Sequence, residues 1–203
     1  GEARASRKAR LAVMVPGLER PNAFAVSRYR LSRGKLTPMA CATPRPAPPG
    51  SLVRVVSPSS PIAREKAERG LSILRSAGYR IEFSPNCFAV DDHLAGTDEQ
   101  RARDLMEAFE DPEVDLVYCS RGGYGAARLL PHLDIQRMAD SGKLFAGFSD
   151  VTTLHVALQF CGLATLHAPM AITLSVEREP WVGESLLAAL RGDSPIPPEA
   201  PAG

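Results

Sequence analysis

The chain has 203 residues, and its 24 Lys and Arg against 23 Asp and Glu leave a formal charge of +1. That balance offers no support for nucleic acid or another polyanion as a partner, and no apolar run approaches the roughly 20 residues needed to span a bilayer. The four cysteines (Cys41, Cys87, Cys119, Cys161) lie too far apart for a Cys-x-x-Cys metal cage, and a chain of this length does not need disulfides to fold. The composition therefore reads as a soluble protein of a reducing compartment, with no metal cage expected.

Taken from the start, residues 1–49 differ from the rest. Nine basic residues between Arg4 and Lys35 face only Glu2 and Glu19, apolar periodicity is poor, and a proline-rich run from Pro44 to Gly50 closes the stretch. Leu11–Val15 is cut by Pro16, so no unbroken apolar segment of secretory length exists there. The expectation is a basic, disordered extension.

From Leu52 onward short apolar runs alternate with helical patterns. Leu52–Ser57 reads as a buried strand stopped by Pro58 and Pro61. Ile62–Ala77 reads as a helix with Ala67, Gly70, Leu71, Leu74 and Ala77 on one face and Gly78 as its stop. Arg80–Ser84 is a second strand. Thr97 with Gln100 three residues later forms a capping-box signature for a helix to Glu110, burying Ala102, Leu105, Met106 and Phe109. Asp115–Ser120 is a third strand, followed by the glycine loop Arg121–Gly125 and a short helix through Leu129 and Leu130. Lys143–Phe148 gives a fourth strand, Asp150–Cys161 a helix, Ala164–His167 a fifth strand and Glu184–Arg191 a last helix, before a proline-rich tail over 193–203. Such alternation implies an α/β domain over 50–192, a mostly parallel sheet with helices on both faces. In sheets of this kind ligands bind beyond the carboxyl ends of the strands. Both the Arg121–Gly125 and Gly147–Asp150 loops lie at such ends, which predicts one shared site.

Gly147-Phe148-Ser149-Asp150 places a serine on a tight strand-to-helix turn, beside the unpaired amides of a helix start. Those amides suit an oxyanion, and Asp150 would contribute the N–H that follows a nucleophile. Thr152 stands where a Gly-x-Ser-x-Gly elbow carries its second glycine, and spacing alone equally fits Ser149 or Asp150 as a plain helix cap. Ser120-Arg121-Gly122-Gly123-Tyr124-Gly125 offers main-chain N–H groups to a ligand, or simply a turn that needs positive φ. Arg128 occupies the last glycine position of a dinucleotide fingerprint and no Gly-Lys-Ser/Thr follows, which weakens a phosphate reading.

Several segments together resemble the LD-carboxypeptidases, a family that includes the microcin C self-immunity peptidases. They are Val56–Pro61, Ala77-Gly78-Tyr79, Leu94–Asp98, Arg121–Leu130 and Gly147–Asp150, and the resemblance runs from about Gly50 to about Arg191. It implies a Rossmann- or flavodoxin-like amino-terminal domain in which Ser149 is the nucleophile. The Asp150 amide and Gly123, the more favoured of the 122–123 pair, would be the oxyanion donors, with Arg121, Gly122 and Tyr124 meeting substrate. It further implies a metal-free serine carboxypeptidase that removes the terminal D-amino acid from cytoplasmic murein tetrapeptides, with a homodimer as a family-level expectation.

Two departures stand out. His167-Ala168-Pro169-Met170 replaces the family's His/Ser-Gly-Pro-Met, which puts a close backbone approach at Ala168 in question. Nothing after Arg191 houses the family's second domain with the triad glutamate and histidine, so the chain reads as a truncated, inactive half. Among local histidines, His93 and His132 read as loop residues, His155 as a helix-surface residue and His167 as a strand end near the site. The competing functions are a peptidase of a peptidyl-nucleotide antibiotic, a non-catalytic phosphate- or nucleotide-binding module, and a non-catalytic remnant.

Overall fold

The computed structural model describes residues 28–32, 35–39 and 41–193. Two short strands, β1 (Arg28–Ser32) and β2 (Lys35–Met39), pair antiparallel as a hairpin. The five remaining strands are β3 (Leu52–Val56), β4 (Arg80–Phe83), β5 (Leu116–Cys119), β6 (Leu144–Gly147) and β7 (Leu166–His167). They form one wholly parallel sheet in the order β4-β3-β5-β6-β7. Every crossover carries at least one helix, as parallel pairing demands.

The strand side chains alternate between two cores. Val53, Val55, Leu116, Tyr118, Leu144 and Ala146 pack on one face against α1 (Arg64–Ser76) and α7 (Pro180–Leu190). Leu52, Val56, Val117, Cys119 and Phe145 pack on the other, against α2 (Asp98–Glu110), α3 (Ala126–Leu129), α4 (Ile135–Asp140) and α5 (Thr152–Phe160). Burial on both faces explains the continuous apolar runs of the central strands. The short α6 (Ala171–Leu174) crosses α1 at Gly70, where an added Cβ would stand 1.9 Å from the Ala171 carbonyl oxygen. Only glycine permits that crossing.

The capping box at Thr97 is present, with its Oγ1 accepting from the Gln100 N–H while the Gln100 side chain accepts from the Thr97 N–H. The helix face differs from the expected stripe, because Met106 is only half-buried whereas Arg101 and Asp104 are buried. Helix α7 starts at Pro180 rather than Glu184, since proline at the first helical position removes no needed donor. Apolar periodicity did not disclose α4 and α6, which are only six and four residues long.

Upstream of position 50 the chain is not free of the domain. Ala42 N–H donates to the Gly162 carbonyl, Ala164 N–H to the Ala42 carbonyl, and Ala47 N–H to the Leu190 carbonyl. The Tyr79 hydroxyl donates to the Ala47 carbonyl from within the core. Residues 42–47 thus run as a belt along the sheet edge and α7, and the fold reaches upstream of the boundary expected at residue 50. Most of the expected extension, and most of the 193–203 tail, lie outside the described residues. Among the described residues no helix is long and apolar enough to cross a membrane.

Candidate active site

Three loops meet beyond the carboxyl ends of the adjacent strands β3, β5 and β6: Ser57–Pro61, Ser120–Gly125 and Phe148–Asp150. Strand order reverses between β3 and β5, the position at which open α/β sheets bind ligands.

Strand β6 ends at Gly147, where an added Cβ would lie 3.0 Å from Cys119 Cβ and 3.1 Å from its Sγ. The turn that follows is a single 3-10 turn, Ser149–Val151, before α5 starts at Thr152. The expected helix over Asp150–Cys161 is therefore split at its entrance. Ser149 adopts φ 66°, a left-handed conformation that a serine enters only when its surroundings impose it. Its side chain is exposed, and among the described residues its Oγ has no hydrogen-bond partner. Neither Ser149 nor Asp150 caps the helix that follows, because no side-chain cap bond is made at the 3-10 turn or at α5, so that alternative falls. Asp150, second in the turn, has an amide without an intrahelical acceptor.

The glycine loop passes directly over this serine. An added Cβ at Gly122 would lie 2.9 Å from Ser149 Cβ, 3.0 Å from its Oγ and 3.4 Å from the Asp150 nitrogen. Gly123 (φ 123°) instead faces Ser60, whose Oγ would lie 2.3 Å from an added Cβ and accepts from the Tyr124 N–H at 3.3 Å. The loop's two inner glycines thus abut two serine side chains, which leaves little of the open cradle a phosphate nest requires. The remaining expected binding residues are arranged differently. Arg121 is half-buried and donates from Nε to the Gly122 carbonyl and from Nη1 to the Pro61 carbonyl, so much of its guanidinium holds the loop. Tyr124 is exposed, with its ring centroid 5.6 Å from that of His93.

The local histidines divide sharply. His155 is not a helix-surface residue; it is buried, with Nε2 2.9 Å from the Gly147 carbonyl oxygen and Nδ1 2.8 Å from Thr165 Oγ1. A carbonyl only accepts, so Nε2 carries the proton and Nδ1 accepts from the Thr165 hydroxyl. Burial is the main reason its pKa is lowered from 6.5 to about 4, with the nearby His167 adding to the effect and the Gly147 carbonyl opposing it. An unfolded chain protonates this histidine below pH 6.5, whereas the folded chain resists until about pH 4. Its contribution is thus complete above pH 6.5 and is lost as pH falls to about 4, a decline of about 3 kcal/mol by linkage. In urea titrations across that window, His155→Gln should flatten the decline relative to the parent, and parallel slopes would refute it. His167 is exposed at the end of β7, its ring 5.8 Å from Phe148. Ala168 is accommodated in place of glycine, buried and donating its N–H to the Gly147 carbonyl.

Two features of the site carry little sequence signal. Arg101 is 2 % exposed and donates to the carbonyls of Pro58 (2.6 Å), Gly96 (3.2 Å) and Gly125 (3.1 Å) while pairing with Asp98. The Asp150 carboxylate turns inward and accepts from Ser59 Oγ and the Ala126 N–H. Beside Ser149 opens an apolar groove of about 650 Å³ walled by Leu130, Ile135, Val156 and Phe160. Phe160 is 81 % exposed there. Among the described residues no group of three or more His, Cys, Asp or Glu is placed to hold a metal ion.

A sequence profile of the LD-carboxypeptidase N-terminal domain matches residues 53–168, the span that holds all three loops. The chain belongs to the LD-carboxypeptidase family. A putative carboxypeptidase of Streptomyces coelicolor is 43% identical over 147 residues, covering 70% of this chain and 47% of that protein. The murein tetrapeptide carboxypeptidase of Pseudomonas aeruginosa is 39% identical over 125 residues, 61% of this chain and 41% of the relative. Among solved structures, an MccF-like protein from Bacillus anthracis superposes with a TM-score of 0.69 at 28% identity, over 75% of this chain and 47% of that one. The chain spans about half the length of the relatives it matches. The matched span of this chain includes the strained Ser149.

Proposed function

We propose that this segment is the nucleophile half of a serine LD-carboxypeptidase acting on murein peptides. The observation that carries the reading is Ser149 held at φ 66° beneath Gly122, next to the free amide of Asp150. Its family membership and its similarity to a murein tetrapeptide carboxypeptidase support the substrate class.

In this reading Ser149 Oγ attacks the carbonyl carbon between an L-centre and the terminal D-residue, and its proton passes to a histidine base. The Asp150 N–H and a glycine-loop N–H, from Gly123 or Gly122, hold the oxyanion of the tetrahedral intermediate. The amine of the D-residue leaves with the proton returned by the base, and water then releases the acyl group from Ser149. A serine hydroxyl needs a base within hydrogen-bond reach. We place that histidine and its orienting glutamate in the portion that the relatives carry beyond the matched half. The apolar groove beside Ser149 is where that portion or the substrate would exclude water.

The test is to incubate the protein as encoded in full with a murein tetrapeptide and follow release of the terminal D-amino acid by mass spectrometry. A parallel reaction uses a serine-directed phosphonate, whose adduct is mapped by peptide sequencing. Release of the D-residue with the adduct on Ser149 is expected; an adduct elsewhere, or an inert tetrapeptide, would remove the reading. The likeness to an MccF-like structure favours one second substrate, a peptidyl-nucleotide, which the same assay compares directly.

A further inference from the structure

We propose that the Asp150 carboxylate is a positioning residue that locks the two oxyanion-donor turns in register, a role separate from that of its backbone amide. The inference rests on the carboxypeptidase reading above for its catalytic consequence, but its geometry stands independently.

One carboxylate oxygen, Oδ2, accepts two hydrogen bonds: from Ser59 Oγ at 2.7 Å and from the Ala126 N–H at 2.9 Å. Ser59 is completely buried and belongs to the loop after β3; Ala126 is completely buried and opens α3, directly after the glycine loop that follows β5. Asp150 itself follows β6. A single oxygen therefore ties together the loops of three neighbouring strands. The same loops are gripped from behind by Arg101, whose Nη1 donates to the Pro58 and Gly125 carbonyls. The Gly125–Ala126 peptide unit consequently has its oxygen on the guanidinium and its N–H on the carboxylate. Such chains polarise one another and resist displacement more than isolated bonds do.

The lock matters because donors must already be aimed when the oxyanion forms. The Asp150 amide and the glycine loop are on different turns, and no backbone hydrogen bond between Phe148–Asp150 and Ser120–Gly125 is recorded among the described residues. The β5–β6 ladder aligns the two turns as far as the Tyr118–Ala146 pair, and beyond it, among the described residues, the Asp150 carboxylate makes the hydrogen bond that joins the two sides.

The roles separate by substitution. Asp150→Asn keeps a carbonyl oxygen that can accept both bonds, whereas Asp150→Ala keeps the amide and loses the bridge. In the protein as encoded in full, Asp150→Ala should lower kcat about 100-fold with KM changed by less than about threefold, the scale expected for misplacement of about 1 Å. Asp150→Asn should recover most of that loss, and Ser59→Ala should lower kcat by about three- to tenfold, since one of two bonds survives. Amide exchange supplies a readout free of catalysis. The Ala126 N–H should exchange at least about tenfold faster in Asp150→Ala and close to the parent rate in Asp150→Asn. If Asp150→Asn is as impaired as Asp150→Ala, the carboxylate acts by charge and the lock is refuted. If the Ala126 amide exchanges alike in all variants, the lock is likewise refuted. Should Asp150→Ala not fold, Ser59→Ala with kcat unchanged from the parent has the same force, because it removes one of the two bonds while the Ala126 bond remains. A parent protein that releases no D-amino acid removes the function reading alone, and the exchange arm still decides the lock.

Discussion

Ser149→Gly is expected to end turnover while making the domain more stable. On the proposed mechanism, loss of the Ser149 hydroxyl should lower kcat by about four orders of magnitude or more, the scale seen when a serine nucleophile is removed. The stability gain follows from the backbone. At φ 66° a non-glycine residue costs about 1–3 kcal/mol, which glycine does not incur. Glycine gives back about 0.5–1 kcal/mol through the entropy of the unfolded chain, leaving a net gain of about 1 kcal/mol. The exposed hydroxyl has no partner among the described residues, so its removal forfeits no hydrogen bond. Urea unfolding of the variant beside Ser149→Ala, which keeps the strain, checks the argument. Equal midpoints for the two would show that the turn stores nothing.

Gly122→Ala should be the second most damaging change to activity, by a different route. Gly122 is not in the left-handed region, so alanine meets no backbone strain. The new methyl would instead arrive 2.9 Å from Ser149 Cβ and 3.0 Å from Oγ, within the space that the proposed mechanism assigns to the substrate carbonyl. Ser149 Cβ moves only with its backbone, so the serine turn must shift to admit the methyl, and stability should fall by about 1–3 kcal/mol. Turnover should fall about 100- to 1000-fold, the usual consequence of spoiling an oxyanion site. Steady-state kinetics and a thermal melt on one preparation separate the effects. A variant that melts early yet works normally would mean that Gly122 serves packing alone. Gly123 offers the contrast, because its φ of 123° and its contact with Ser60 make any side chain there a backbone problem.

The strands and long helices were legible because each element carries a local signal. Leu52–Val56 and Leu116–Cys119 are apolar on both faces, as buried parallel strands must be, and Thr97 with Gln100 marks a helix start. Proximity of the two glycine-bearing loops followed from strand polarity alone. What remained hidden depends on tertiary partners. Arg101 looks like any surface charge on an amphipathic helix until three loop carbonyls arrive from elsewhere in the chain. His155 occupies a helix position next to Val156, which is exposed, and only the approach of Gly147 and Thr165 makes it an interior residue. The carboxylate of Asp150 was read for its amide, since the residue after a nucleophile is usually valued for that. Residues 42–47 gave no periodic pattern because a belt held by main-chain bonds requires none.

That belt has a consequence for the order of events during synthesis. Ala42 must find Gly162, and Ala47 must find Leu190, so each is secured by a segment made more than a hundred residues later. Contacts of such sequence separation close large loops and form late. The emerging polypeptide therefore carries this strap only partly fastened until α7 has cleared the ribosome, and the sheet edge beside β7 stays open to wrong pairings until residues 162–164 have emerged.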